Sequence, residues 1–446
     1  MDTAEGKAVI QFIHDLTWPG IPADVQHMAG RALLDLVATL SAGGGTELSR
    51  IARTMAARVF GGDEATLLFD GRRVGAAGAA LANGMGIDAM DMHDGYRPAK
   101  GHAGVVVFPV ALAMGEGHAW RGEQFMAALV GGYEMALRAG VALHRTACDY
   151  HTSGAWGAIA AAAVTARALG LDTQRTRHAV GIAEYHGPRS PMMRCIDHPS
   201  MLKDGSGWGA MCGVLAAQFA AEGFSGAPAS TVEDERVGSI WADLGEAWLM
   251  RGLYFKPYAC CRWSQPAVEA TLALLAKYSI SPGEIAHIEV NTFEEATHLT
   301  RARPEDTEQA QYSLPYPVAA ALYAGRLDPA QVLLSAIFEE KVLQLAERVA
   351  MSVDEQLDQR FPDEALARVT IHARDGRSFT SPVCAARGDP ADPLSDAELE
   401  DKFNRLVGAR LAEERARALR RTCWEAATLN RIDALVELLA PPPETG

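Results

Sequence analysis

A helix that is small and apolar on every face has no side to show to water, and this chain carries several. The run GAWGAIAAAAVTARALG, residues 154–170, is the purest case. Such a helix must be buried among other helices, and Ala and Gly let those neighbours come close. The same reading extends along the first half. Pro22–Leu40 spaces Val25, Met28, Ala32, Leu33, Leu36 and Val37 three and four apart, with Pro22 suited to a helix start. Helices are also predicted over Glu47–Phe60, Ala77–Met90, Gly122–Leu143, Gly154–Leu169, Thr173–Tyr185 and Gly207–Glu222. Residues 1–265 therefore read as one tightly packed all-helical domain.

After residue 280 the pattern changes. Ile285–Thr292 alternates with β-branched residues, and Ala367–Ala373, the turn Arg374–Arg377 and Ser378–Val383 read as a hairpin. Helical segments lie between them, over Val318–Ala324, Asp328–Leu334 and Glu339–Ala346. Residues 266–394 are thus predicted to form a smaller α+β unit. From Ser395 helices return, over Asp396–Val407, Arg410–Ala427 and Leu429–Leu439, and are expected to complete the helical domain. The α+β unit then becomes an insertion, and Pro441–Gly446 a disordered tail. The fold class is mainly α.

Charge and cysteine usage narrow the partners. The 446 residues carry a formal net charge of −15, and no run of Lys and Arg forms a basic patch. Nucleic acid and anionic membrane are therefore excluded as expected partners. The amino-terminal MDTAEGKAVIQFIHDL has acids where a secretion signal needs positive charge, so a cytoplasmic location is expected. The charge-free stretches near His102–Gly115 and Gly154–Thr165 are shorter than the roughly 20 residues that span a bilayer. Seven scattered cysteines form neither a disulfide framework nor a zinc pattern, and the adjacent Cys260 and Cys261 read as core packing.

Signatures for nucleotide binding, serine hydrolysis and zinc proteolysis are missing, which leaves clusters of reactive residues. The densest is DAMDMHDGYRPAKGHAG, residues 88–104, with Asp88, Asp91, His93, Asp94, Tyr96, Arg97, Lys100 and His102. A solvated loop explains any one of them. Together, between two apolar helices where unsatisfied charge is costly, they point to a pocket rim. A metal held by Asp91, His93, Asp94 and His102 is the rival reading. The others are Lys203 in MLKDGSGWG, Lys256 and Arg262 in FKPYACCRWSQP, Tyr316 in QYSLPYPV, and His151 in YHTSG. Their ordinary explanations are a helix-end cation, snorkelling cations, a packed tyrosine and a structural histidine.

In chain order the segments ANGMGIDAMDMHDG with GHAGVVVFP, YHTSGAWGAIAAAA, MLKDGSGWGAM, YFKPYACCRWSQPAVEA and AQYSLPYPVAAAL form an ordered set. As a set they resemble the MmgE/PrpD family over nearly the whole chain. That family includes 2-methylcitrate dehydratase, cis-aconitate decarboxylase and iminodisuccinate epimerase. The resemblance implies a large helical domain with a smaller α+β lid, a homodimer, and a site of Asp91, His102, His151, Lys203, Lys256 and Tyr316. The chain departs from the family pattern at His93-Asp94-Gly95, at an added Gly101 and at Ala103. Those positions are expected to line the substrate cleft.

The chemistry so implied is a proton removed or added at the carbon next to a carboxylate. Negative charge then grows on the carboxylate oxygens, and fixed cations and donors stabilise it. Lys203 and the Tyr316 hydroxyl suit that role, with Lys256, Arg262, Arg97, Lys100 and His93 binding substrate. His102 oriented by Asp91, with His151 opposite, would shuttle the proton. The expectation is a lyase of the dehydratase type acting on a small di- or tricarboxylate, with no cofactor and no metal. Decarboxylation or epimerisation on the same scaffold is the alternative. A non-catalytic protein keeping the fold and a metal-dependent hydrolase are the other classes considered.

Overall fold

The computed structural model describes residues 4–441. Of the tail read as disordered only Pro441 lies within that range; residues 442–446 fall outside the described residues. Most of the chain is helical. The helical domain contains α1 (Ala4–Asp15), α2 (Ala23–Gly43), α3 (Glu47–Val59), α4 (Ala76–Asp88), α5 (Gly104–Gly117) and α6 (Gly122–Thr146). It continues with α7 (Ser153–Ala168), α8 (Thr173–His186), α9 (Met193–Asp197) and α10 (Ser206–Ala221). Every residue of α7 from Ser153 to Ala166 is buried, as the all-round apolar pattern requires.

Glycines set the closest crossings. A Cβ on Gly213 of α10 would lie 2.3 Å from the Ala161 Cβ and 2.5 Å from the Ala158 carbonyl oxygen. One on Gly209 would lie 2.4 Å from the Gly154 oxygen. Here α7 and α10 meet backbone to backbone, and any side chain would force them apart. Helix α6 is long and apolar enough to cross a membrane, but it is almost wholly buried within this domain.

The smaller unit is a five-stranded sheet, β4 (Val349–Val353) beside β3 (Ile285–Thr292), β5 (Leu366–Ala373) and β6 (Ser378–Thr380), with the short β7 (Cys384–Ala385) also on β5. β3 and β4 are parallel, and β3 with β5 and β5 with β6 antiparallel. The β5–β6 turn holds Gly376 at φ +87°, where glycine is favoured. The helix Gln265–Lys277 packs on β5, and the helix Pro315–Ala324 packs on Glu340–Ala346. After the sheet, the helices Asp396–Gly408 and Glu413–Trp424 pack on α2, and Asp433–Leu439 touches α5.

Four features depart from the expected pattern. A two-stranded ribbon, β1 (Ala65–Thr66) with β2 (Arg73–Val74), interrupts the otherwise helical domain. Residues 222–264 carry only single helical turns, because bulky aromatics and Gly-Pro breaks replace the Ala-rich spacing. β4 is absent from the sequence reading, since it is a sheet edge whose residues are partly or fully exposed. The Asp328–Leu334 helix shrinks to one turn, Pro329–Val332.

Candidate active site

The site grows out of the loop between α4 and α5. Three residues there and nearby adopt left-handed backbone: Asp91 (φ +44°), Lys100 (φ +53°) and Lys203 (φ +48°). A non-glycine residue held so costs about 1–3 kcal/mol, which surrounding contacts must offset. Main-chain bonds fix the loop: Gly95 and Tyr254 exchange N–H···O bonds of 3.0 and 2.9 Å, and Tyr96 N–H donates to Gly101 O at 2.9 Å. Gly95 is required here. A Cβ would lie 2.4 Å from the Tyr254 ring and 2.8 Å from His102 Nδ1. A Cβ on Gly101 would meet Ser153 Oγ at 2.4 Å. Two of the departures from the family pattern are therefore fitted to their own neighbours.

These segments wall a cavity of about 650 Å³, a size suited to small ligands. The helical domain contributes Asp91, Arg97, Lys100, His102, Tyr254, Lys256 and Arg262, and the lid contributes Glu294, Glu295, Tyr312 and Phe361.

His102 is held at two points. Its N–H donates to Ser153 Oγ at 2.9 Å, and its Nδ1 lies 2.7 Å from the Asp94 carbonyl oxygen. A carbonyl only accepts, so Nδ1 carries the proton and Nε2 keeps its lone pair. Burial first, then the Lys256 and His93 charges, hold this imidazole well below its ordinary value of 6.5. It is neutral at neutral pH. The orienting group is thus the Asp94 main chain and not, as expected, the Asp91 carboxylate.

Asp91 instead faces Lys256. Lys256 Nζ donates to Asp91 Oδ1 at 2.5 Å and to Asp91 O at 3.2 Å. Burial would raise the Asp91 carboxyl, but Lys256, then Lys203, His102 and His93, outweigh it and hold it at about 2. The Asp91 charge in turn holds Lys256 above its ordinary value despite burial. An ammonium has three hydrogens, so one remains for a ligand.

Arg262 stacks on Tyr254, 4.4 Å from the ring centre, and donates to Asp389 Oδ1 at 2.6 Å. Arg97 pairs with the other oxygen of Asp389 and with Asp363 O. Both arginines line the cavity, yet much of their donor capacity ties the lid to the helical domain. Lys100 lies over the Tyr150 ring at 5.8 Å and has no ion pair among the described residues.

Four expected residues sit elsewhere. His93 is fully buried, packed edge-on behind His102 with 4.5 Å between ring centres, so it does not bind at the cavity wall. His151 turns its Nδ1 to Asp149 O at 2.9 Å, and the neighbouring Tyr150 faces the cavity in its place. Tyr316 donates its hydroxyl to Gln331 O at 2.7 Å inside the lid, while Tyr312 is the tyrosine on the wall. Lys203 is buried behind Tyr312, 4.8 Å from its ring centre, and donates to Gln311 Oε1 at 2.7 Å. It reaches the site through its field on Asp91 rather than by contact. The rival metal cluster does not converge: Asp91 serves Lys256, Asp94 Oδ1 accepts from Tyr133 at 3.0 Å, and His102 Nδ1 faces a carbonyl. Cys261 lies on the wall, but burial pushes its thiol up to about 12, which makes it a poor nucleophile.

Sequence reasoning missed Tyr254, Tyr312, Ser153 and Asp389. The first three lie inside the same motifs, two to four positions from the residue chosen; Asp389 had no signal. In comparisons with known proteins, the MmgE/PrpD N-terminal domain matches residues 7–244 and the MmgE/PrpD C-terminal domain residues 258–426. Among curated relatives, the cis-aconitate decarboxylase of Aspergillus terreus is 26% identical over 97% of this chain and 95% of its own length. The cis-aconitate decarboxylase-like protein oryM of Aspergillus oryzae is 24% identical over 98% of both chains. The cis-aconitate decarboxylase of Homo sapiens is 24% identical over 82% of this chain and 79% of its own.

Proposed function

This chain belongs to the MmgE/PrpD family, and from that premise we propose that it is a cofactor-independent lyase of the hydro-lyase type. Its substrate is a small di- or tricarboxylic acid, from which His102 takes the proton next to a carboxylate. The observation that carries this is a neutral imidazole on the cavity wall, its Nδ1 proton committed to a carbonyl, close enough to the Lys256 ammonium to feel its charge. One group accepts a proton and the other offsets the charge left behind. Binding an anion also raises a nearby imidazole, so substrate itself strengthens the base.

The curated relatives favour a second outcome on the same site, loss of carbon dioxide, because they are named as decarboxylases. Return of the proton from the other face would be epimerisation. Incubation with citrate, 2-methylcitrate, cis-aconitate and iminodisuccinate, followed by NMR in D₂O, separates the three. Loss of water supports the hydro-lyase. Loss of carbon dioxide replaces it with the decarboxylase, and deuterium uptake without change in composition replaces it with the epimerase. If no polycarboxylate is altered, the carboxylate-site reading fails.

The working unit is proposed to be a homodimer. Met201, Leu202 and Trp208 are 38%, 71% and 48% exposed and share one shallow depression beside Lys203. Large apolar groups clustered in the open mark an interaction surface. Light scattering on Leu202→Glu, expected to shift mass toward the monomer, tests it; an unchanged mass would contradict this placement.

A further inference from the structure

The cavity is larger than the acid its cations call for. The roughly thirteen non-hydrogen atoms of a tricarboxylate such as citrate, even at the roughly 30 Å³ that each water claims in the liquid, leave more than a third of the 650 Å³ unfilled. The wall also falls into two groups of different character. In one, His102, Asp91 and Lys256 are buried and interact with one another. In the other, Trp263 meets the Phe361 ring edge-on, with centres 6.0 Å apart, and Phe293 in the same way at 6.2 Å. Phe361 stacks on Phe293 at 4.3 Å. Phe293 is fully buried and backs the other two, which are only partly buried and line the cavity. Half-buried Met193 of α9 lines it as well, and the Met192 N–H, bonded to Tyr150 O at 2.6 Å, anchors the start of that helix.

Resting on the carboxylate-site reading, we propose that the substrate is a polycarboxylate carrying a bulky apolar substituent, of benzyl size, seated against Trp263, Phe361 and Met193. The unfilled space does not suit a further carboxylate. An anion against apolar walls loses its water without a donor in return, and Glu294 and Glu295 also line the cavity, directly after Phe293 in the chain. An apolar group gains there from leaving water, and an aromatic ring gains from edge and face contacts as well. The two parts of the wall abut. Arg262 precedes Trp263 in the chain, and Arg97 donates to Asp363 O, two residues beyond Phe361. One small molecule can therefore present its carboxylates to the cations and its substituent to the aromatic pair. Because Phe293 fixes both rings from behind, little ordering is needed on binding. Met193, with its flexible thioether, adapts to the shape of the substituent. Trp263 and Phe361 thus determine specificity and take no part in the proton transfer.

Calorimetric binding of malate, 2-methylmalate and 2-benzylmalate to the full chain tests this without needing turnover. Affinity is expected to rise along the series, with 2-benzylmalate at least about 30-fold tighter than malate. In Trp263→Ala that ratio should fall to about threefold or less. Met193→Trp narrows the space from α9 and leaves the aromatic packing in place, so it tests the same point should Trp263→Ala fail to fold; the ratio is expected to drop about tenfold. Tyr185→Ala, 78% exposed on α8, should keep the parent ratio. Absence of binding by all three acids, equal affinity for malate and 2-benzylmalate, or a ratio unchanged in both variants would overturn the inference. So would tighter binding of 2-(3-aminopropyl)malate than of 2-benzylmalate, which would assign the space to a cationic substituent. Tight binding of 2-benzylmalate without chemical change would support the substituent and count against the lyase. Turnover of malate with equal binding of both acids would do the reverse.

Discussion

Two buried groups around the loop should be visible to simple pH experiments. The depressed His102 is a base in its neutral form, so kcat/KM is expected to hold as pH falls through 6.5 and to drop only well below it. An acid limb centred at or above 6.5 would contradict the burial and the cationic neighbours that define this imidazole. Asp94 behaves oppositely: burial first, then the Asp35 carboxylate, raise its carboxyl to about 7 against 3.8 when free. The folded chain keeps that proton longer than the unfolded one. Stability from this group is therefore present below about pH 4 and is lost as pH rises toward 7, by at most about 4 kcal/mol. Asp94→Asn removes the titration, retains the carbonyl that orients His102, and is expected to raise the melting temperature at pH 8 far more than at pH 4. Equal shifts at both pH values would show that Asp94 carries no such proton. Neither property could be read from the sequence. The motif DMHDG showed where acids and imidazoles crowd, but which one faces the cavity depends on the left-handed turn at Asp91, and no residue-level pattern announced that.

At the scale of elements, the helices were legible because their hydrophobic spacing is strong, and α7 needed no periodicity at all. What escaped was orientation within short segments. Tyr312 and Tyr316 share one motif, but Tyr316 is the second residue of a helix, its N–H bound to Ser313 Oγ at 3.0 Å, and its ring points into the lid. Tyr312 lies before that helix begins and faces the cavity. An ambiguity of a single residue likewise put His151 on the wall in place of Tyr150. The α7–α10 crossing, by contrast, makes a prediction from the sequence texture itself. Gly213→Val must displace the Ala158 carbonyl, which cannot rotate away, and is expected to cost about 3 kcal/mol in urea unfolding. Gly238→Ala, where a Cβ meets nothing within 4 Å, is expected to be close to neutral. Similar losses at both positions would mean that the helices do not pack through bare backbone.

For the whole molecule, the net charge of −15 says little about the substrate. Local charge in a low-dielectric cavity outweighs distant surface charge, and Lys100 and Lys256 sit on the cavity wall while Lys203 acts from just behind it. The arginines expected beside them do something different. Arg97 and Arg262 share Asp389 and so bridge the helical domain to the lid. Asp389→Ala is expected to raise KM about tenfold with a smaller change in kcat, and to speed hydrogen exchange around residues 386–394. Unchanged exchange there would remove Asp389 from any role in setting the lid. In the proposed reaction, His102 takes a proton from the carbon beside a substrate carboxylate. Solvent deuterium appearing at that carbon, followed by NMR for the parent chain and for His102→Asn at equal folded concentration, tests it most directly. Exchange or turnover is expected in the parent, with a loss of at least about 100-fold in the variant. Equal rates in the two proteins would contradict it.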